Sequence, residues 1–176
     1  VIQIIAFAVP CFLYLGIKGG KLNQYMLKGK FNANILLFSV GAFVVMLLGS
    51  LALQLVFYQG GRGLTYDKGY MDTLFASDSS SIGLFLSYCF VPAVCEELFF
   101  RGIVIGEYKH YGSFNAILIS TLYFTLTHFT TQGFVIYLFA GLVLSFTAVI
   151  CRSVYPSMVL HMCFNMYALY GNSSFV

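Results

Sequence analysis

Charged residues are scarce in this 176-residue chain. They make up 9% of it, against about 25% in soluble domains, while hydrophobic residues make up 60% and aromatic residues 18%. No Lys, Arg, Asp or Glu occurs between Lys109 and Arg152, which leaves room for two membrane spans of about 20 residues each. This composition excludes a soluble globular protein and makes the lipid bilayer the expected surroundings. The chain also lacks a basic stripe with interleaved aromatic residues, so we expect no nucleic-acid partner.

Common signatures of metal and redox sites are also absent. The 5 cysteines include no Cys-x-x-Cys pair, and the chain contains no His-Glu-x-x-His. A disulfide framework, a zinc knuckle and the soluble zinc-protease pattern are therefore not indicated, and we expect the cysteines to pack as small apolar residues. The sequence starts at Val1 inside an apolar run and without an initiator Met, so we expect the native protein to extend upstream.

Six apolar segments are predicted to form helices that cross a membrane. Their approximate bounds are 1–17, 34–58, 82–108, 113–129, 134–150 and 156–170. Lysine and arginine follow the first, third and fifth segments, and the positive-inside rule places those loops in the cytoplasm. We therefore predict an all-α protein, a polytopic membrane helical bundle with at least six transmembrane helices. No linker marks a second domain, so residues 1–176 are predicted to form a single membrane domain.

The third segment carries three charged residues in an otherwise apolar run. A charge at membrane depth costs several kcal/mol unless it is paired or used. Glu97 and Arg101 are four residues apart, so on a helix they are predicted to form an ion pair. Glu96 points about 100° away and has no local partner. An unpaired intramembrane carboxylate indicates a functional site, with a partner expected at His128 or His161. The alternative is a purely structural ion-pair network that joins the helices, in which Glu96 is protonated.

Two further polar pairs lie on later segments, and in each the two residues are four apart and are predicted to share a helical face. Three motifs thus follow one another in order: Glu96-Glu97-x-x-x-Arg101, Phe124-x-x-x-His128 and His161-x-x-x-Asn165. This ordered set resembles the CAAX protease and bacteriocin-processing family of intramembrane endopeptidases. The family includes type II CAAX prenyl endopeptidases and bacterial proteins of the abortive-infection and bacteriocin-immunity type. The resemblance covers about residues 82–170, which we expect to form the catalytic core.

The resemblance implies an intramembrane endopeptidase that hydrolyses a peptide bond in a membrane-associated peptide or protein. Amide hydrolysis requires an activated water, a stabilised oxyanion and a proton for the leaving amine. By this resemblance Glu96 activates the water with help from His128. His161 and Asn165 are expected to hold the substrate carbonyl and stabilise the oxyanion. The other motif residues are expected to support these groups: Glu97, Arg101 and Phe124.

Two catalytic mechanisms fit the motif residues, and they differ in whether a metal ion is required. The glutamate mechanism is favoured and requires no cofactor. In the alternative, Glu96, His128 and His161 bind Zn2+ or another divalent metal and leave one position for water. Glu97 would then have to act as the base, although it is the residue best placed to pair with Arg101.

Other functions also fit parts of the pattern. A non-catalytic membrane scaffold or bacteriocin-immunity protein could retain the polar core as a folding device. A proton-coupled carrier also uses intramembrane Glu and His, but the sequence shows no inverted repeat. A cysteine protease is disfavoured because Cys163 lies two residues from His161 and points to the other side of the helix. The short chain is more similar to the bacterial members of the family, so a bacterial cell membrane is expected.

The predicted depths of the motif residues conflict. Glu96 lies about 21 Å along its helix from Ile82, near mid-membrane, and Pro92 can kink the helix one turn earlier. His128 lies near the far end of its own predicted span. The turn at 130–133 is uncharged, so the hairpin is predicted to end inside the membrane, with its tip buried in protein.

Overall fold

The computed structural model describes residues 4–21, 25, 29, 32–57, 80–129, 131 and 133–170. Within these ranges the elements are all helices, which confirms the predicted all-α class. We label them α1 (Ile4–Lys18), α2 (Ala33–Phe57), α3 (Ser81–Tyr111), α4 (Ser113–Leu126), α5 (Phe134–Cys151) and α6 (Val154–Tyr170).

Among these described helices, α2, α3 and α5 are long and apolar enough to cross a membrane, with 25, 31 and 18 residues. Helix α4 has 14 residues and rises about 21 Å, less than the roughly 30 Å of a hydrocarbon core. Helix α1 is likewise apolar but short, and α6 has 17 residues with polar side chains on it. Three of the six predicted spans thus have the length and composition to cross a membrane, and the count of at least six stays a prediction.

Helix α2 is apolar on all sides. Large hydrophobic side chains such as Leu37 and Leu55 are 74% and 77% exposed, whereas Met46 on the same helix is completely buried. A helix that is hydrophobic around its whole circumference suits a membrane rather than water. Exposed apolar side chains of this kind are the expected lipid-facing surface.

Helix α3 is irregular around the two glutamates. The α-helical stretch Val91–Glu97 lies between two π-helical stretches, Phe85–Phe90 and Leu98–Val104. Pro92 is the second residue of the middle stretch, and because proline has no amide proton the preceding turn cannot complete the α-helical hydrogen-bond pattern. Wide turns of this type are frequently found at functional sites. They set the direction in which Glu96 and Glu97 leave the helix.

Helices α3 and α4 form an antiparallel hairpin. The turn between them contains Gly112 at φ 102°, a backbone conformation that glycine adopts without a steric penalty. The rings of Phe100 and Phe124 meet edge to face at 5.6 Å, and Ser120 Oγ donates to the Phe100 carbonyl at 3.0 Å. The hairpin thus places Phe124 beside the charged segment of α3.

Helix α5 packs closely against α4. Thr121 Oγ1 on α4 donates to Ser145 Oγ on α5 at 3.3 Å. A Cβ atom added at Gly141 would lie 2.9 Å from Phe124 Cδ1, so only glycine fits that contact without a shift. Leu144 of α5 and Phe164 of α6 belong to the same buried apolar cluster as Phe124. The motif-bearing helices α3, α4 and α6 are therefore joined by a shared core.

Candidate active site

The predicted ion pair on α3 is present and fully buried. Arg101 Nη1 lies 2.6 Å from Glu97 Oε1, and both side chains have 0% exposure. Their spacing of one helical turn brings the two groups together, as the sequence predicted. A charge pair at this depth has lost its water, so its stability depends on further partners.

Arg101 has two such partners. Its Nη2 donates to the carbonyl oxygen of Gly141 on α5 at 3.0 Å, and its guanidinium lies 4.6 Å from the centre of the Phe124 ring. Both contacts favour the cation in a dry interior, the first as a hydrogen bond and the second as a cation–π interaction. Arg101 therefore connects α3 to α4 and α5.

Glu97 is shared between the arginine and a histidine of α6. His161 Nδ1 lies 3.0 Å from the same Glu97 Oε1 atom that accepts from Arg101. His128 and His161 were the two candidate partners of Glu96, and the hydrogen bond of His161 goes to the neighbouring Glu97. The residues are 64 positions apart, so only the packing of α6 against α3 brings them together.

Glu96 lies next to this charged group and is 4% exposed. Its Oε2 atom is buried and has no hydrogen-bond partner among the described residues. The carboxyl group is close enough to His161, Glu97 and Arg101 to interact electrostatically with each. Burying a polar atom without a partner costs free energy, so an orphaned oxygen of this kind requires an explanation, of which a functional role is one.

His128 lies in the turn that follows α4, since that helix ends at Leu126. This corrects the prediction that the fourth helix extends to Phe129. The His128 Nδ1 atom donates to the Phe124 carbonyl at 2.8 Å, because a carbonyl oxygen can only accept. In the neutral ring the Nε2 atom then carries the lone pair. The imidazole also stacks on the Tyr137 ring, with 3.9 Å between centres and 25° between planes.

Phe124 is the contact point of the three motifs. The centre of its ring lies 4.8 Å from that of the His128 ring and 5.6 Å from that of the His161 ring, both edge to face. The Arg101 guanidinium packs over the same ring. The end of α4 therefore lies beside α3 and α6, because Phe124 contacts Arg101 and His161. Thr131, at the tip of the hairpin of α4 and α5, is exposed, so the prediction that this tip is buried in protein is wrong for Thr131. Phe124 is buried at 2% exposure.

Asn165 is half-buried and lies one turn after His161 on α6. Its side chain makes no hydrogen bond to the part of the chain that the structure describes. Its amide group is therefore available to a ligand.

The donors of the metal alternative are of the right type. His128 and His161 both use Nδ1 for a protein contact, which leaves Nε2, and metal-bound histidines commonly use their other nitrogen in this way. As they are placed in the structure, no three His, Cys, Asp or Glu side chains of the described ranges are grouped so that they could hold a metal ion.

Sequence reasoning missed the contribution of α5. Neither Tyr137 nor Gly141 belongs to a polar motif, yet one contacts His128 and the other Arg101. The available signal was the four-residue spacing of Tyr137, Gly141 and Ser145, which puts two polar side chains and a glycine on one face of an apolar helix.

Comparison with known proteins gives one match. The family model described as type II CAAX prenyl endopeptidase Rce1-like matches residues 78–167, a range that includes all seven motif residues. Searches of curated proteins and of solved structures gave no match. The family match covers just over half of the chain and agrees with the resemblance carried by the three motifs. The chain therefore belongs to the type II CAAX prenyl endopeptidase Rce1-like family, whose members are membrane-embedded CAAX proteases.

Proposed function

We propose that the protein is a glutamate-dependent endopeptidase that cleaves a membrane-associated peptide or protein substrate. The observation that carries this proposal is the difference between the two adjacent glutamates. Glu97 accepts from Arg101 and His161 through Oε1, although its Oε2 has no partner among the described residues. Neither oxygen of Glu96 accepts a hydrogen bond from the described part of the chain. A water molecule beside Glu96 would find a free acceptor there.

Glu96 is the base in this proposal. Arg101 neutralises the charge of Glu97, so a single carboxyl group remains for chemistry. A carboxyl group in a buried site can take a proton and return it in the same catalytic cycle. The charge that develops on the attacking water is thereby removed without a metal ion.

His128 assists by holding the water. Its Nδ1–H donates to the Phe124 carbonyl oxygen, so the neutral ring accepts through Nε2. The orientation of the ring sets the direction of the Nε2 lone pair. Such an acceptor orients a water molecule for attack on a substrate carbonyl. His128 is half-buried, which leaves part of the ring accessible from a substrate site.

His161 and Asn165 stabilise the oxyanion. The Nδ1 atom of His161 donates to Glu97, and in the protonated ring Nε2–H is the second donor. The Asn165 amide lies one turn further along α6 and supplies N–H donors of its own. Donors placed in advance around a developing negative charge contribute about 10²–10³ in rate each.

The reaction then balances as follows. Water gives a proton to Glu96, and its oxygen forms a bond to the substrate carbonyl carbon, which puts negative charge on the carbonyl oxygen. When the carbon–nitrogen bond breaks, the protonated Glu96 gives its proton to the leaving nitrogen. The products are a carboxylic acid and an amine, and Glu96 is again a carboxylate.

The test is cleavage of a membrane-presented peptide library by the full chain in liposomes. We expect Glu96→Gln to abolish cleavage while the protein stays folded, because the amide cannot take the proton. Glu107→Gln is the matched control, since it makes the same change on the same helix outside the motifs, and it should retain wild-type rates. Wild-type cleavage in Glu96→Gln would exclude Glu96 as the base.

Each reaction is repeated with a strong chelator. Cleavage that survives chelation supports the glutamate mechanism. Loss on chelation with recovery on addition of Zn2+ would replace it by the metal alternative. Absence of cleavage by well-folded wild-type protein would favour the scaffold function instead.

A further inference from the structure

Helix α5 contributes to the site without carrying any motif residue. Tyr137, Gly141 and Ser145 follow one another at four-residue intervals, so they lie along one face of the helix. Tyr137 contacts the loop after α4, Gly141 contacts α3 and Ser145 contacts α4, and the first two reach motif residues directly. We call these three residues the α5 row.

Tyr137 holds the ring of His128. The two rings stack at 3.9 Å with 25° between their planes, while Phe124 packs edge to face against the same imidazole at 4.8 Å. His128 lies beyond the end of α4, so its orientation depends on these side-chain contacts and on the hydrogen bond from Nδ1. Without the Tyr137 ring, one face of the imidazole would lose its support.

Gly141 contacts Arg101 and makes room for Phe124. Its carbonyl oxygen accepts a hydrogen bond from Arg101 Nη2 at 3.0 Å. Because glycine has no side chain, the Phe124 ring fits against it. A Cβ atom there would lie 2.9 Å from Phe124 Cδ1 and 3.4 Å from Thr121 Cγ2. The Phe124 ring contacts Arg101 and both motif histidines, so a methyl group at position 141 would displace a side chain on which the site is assembled.

Ser145 fixes the distance between the helices. It accepts from Thr121 Oγ1 and its own hydroxyl lies 3.4 Å from Ser120 Oγ, which donates to the Phe100 carbonyl. Phe100 is the neighbour of Arg101 in the chain. A chain of buried hydroxyl groups therefore ties α5 and α4 to the segment of α3 that bears the arginine.

We propose that the α5 row positions the catalytic groups: Tyr137 orients the His128 imidazole, and Gly141 sets the place of Arg101 and Phe124. These are positioning residues, since they act through motif side chains and not on the substrate. The inference rests on the proposed function for its effect on rate. Its structural part, the support of His128, is measurable without any cleavage.

The first test concerns Tyr137. Tyr137→Leu removes the stacked ring, so this variant should lose about tenfold or more in kcat with little change in KM. Tyr137→Phe keeps the ring and should retain most of the rate. Phe146→Leu is the matched control, because it removes an aromatic ring from α5 at a side chain that is 48% exposed. It should behave as wild type.

The second readout is chemical. Diethyl pyrocarbonate modifies neutral imidazole nitrogens, and mass spectrometry resolves the three histidines. We expect Tyr137→Leu to raise the modification rate of His128 several-fold relative to that of His110, which is exposed and serves as an internal reference. Tyr137→Phe should give the wild-type ratio.

The third test concerns Gly141. Gly141→Ala should lower kcat about tenfold or more. Gly41→Ala should have no effect, because no atom of the described residues lies within 4 Å of a Cβ added there. Phe124→Leu removes the ring that the methyl group meets. The effect of Gly141→Ala should therefore be smaller in the Phe124→Leu background than in the wild type.

The outcomes separate the two proposals. Equal modification of His128 in wild type and Tyr137→Leu, or equal impairment of the leucine and phenylalanine variants, overturns the role of Tyr137. An undiminished effect of Gly141→Ala in the Phe124→Leu background overturns the role assigned to Gly141. If the wild-type protein cleaves nothing, the proposed function fails, and the modification of His128 still decides whether Tyr137 supports it.

Discussion

Replacing Arg101 by Gln leaves the Glu97 carboxylate buried without its cationic partner. Both side chains have 0% exposure, so neither can turn towards water without local unfolding. The substitution also removes the hydrogen bond to the Gly141 carbonyl and the contact with the Phe124 ring. We expect a large loss of stability in addition to loss of activity.

The magnitude follows from these contacts. Removing one partner of a buried ion pair costs about 3–5 kcal/mol, because the other charge stays desolvated. For a chain of this size about 1 kcal/mol corresponds to roughly 2–4 °C, so the unfolding temperature should fall by roughly 6–20 °C.

A thiol-reactive fluorophore provides the assay. Cys11, Cys89 and Cys151 are free and buried, so they react when the protein unfolds in detergent. The exposed Lys109→Gln variant is the control for removal of a positive charge and should unfold at the wild-type temperature.

The double variant Glu97→Gln with Arg101→Gln tests the reason for the loss. It removes both charges of the pair together, so Glu97 leaves no carboxylate without its cation. The wild-type pair is itself imperfectly satisfied, because Glu97 Oε2 and Arg101 Nε have no hydrogen-bond partner within the described ranges. The double variant should therefore recover at least half of the lost stability and remain inactive. An unchanged unfolding temperature in Arg101→Gln, or a double variant less stable than the single one, would refute this reasoning.

Three further predictions follow from single contacts. Asn165→Ala should lower the cleavage rate about 10²–10³-fold. The unfolding temperature should change little, because the side chain makes no hydrogen bond within the described part of the chain. A parallel loss of stability would assign Asn165 a structural role instead. Ser120→Ala should cost about 1 kcal/mol through loss of its bond to the Phe100 carbonyl, measured with the same fluorophore against the conservative Ser120→Thr. Gly112→Ala should cost about 1–3 kcal/mol in unfolding free energy from its φ of 102° alone, since a Cβ there meets no atom of the described residues within 4 Å. Gly16→Ala, equally uncrowded among those residues but without positive φ, should show no such loss.

Local spacing explains which features of the site were predictable. The pair of Glu97 and Arg101 depends on one helical turn, and this turn persists although α3 changes to π-helical geometry from Leu98 onward. The order of the three motifs likewise required no coordinates, and it indicated the family that the comparison confirmed. The roles of Glu96, His128, His161 and Asn165 remain predictions that the cleavage experiments test.

Helix lengths were less predictable than helix positions. Hydrophobic runs located the helices correctly, but the apolar run from 113 to 129 continues past the point where α4 ends at Leu126. Apolar residues suit both a membrane helix and the turn that follows it, so composition alone does not distinguish them. The ring of Phe124, near the end of the shorter helix, contacts the rings of both His128 and His161, while the membrane depth of these residues stays a prediction.

The sequence by itself determined the membrane character, the helical class, the family and the Glu97–Arg101 pair. These depend on composition or on neighbours within one helical turn, and both are properties of the chain before it folds. Only the tertiary structure decided that His161 binds Glu97 and not Glu96, and that Arg101 reaches a carbonyl on α5. The first contact joins residues 64 positions apart, and the second uses a backbone oxygen that every residue possesses, so neither has a sequence signature. Packing of α5 and α6 against α3 selects them.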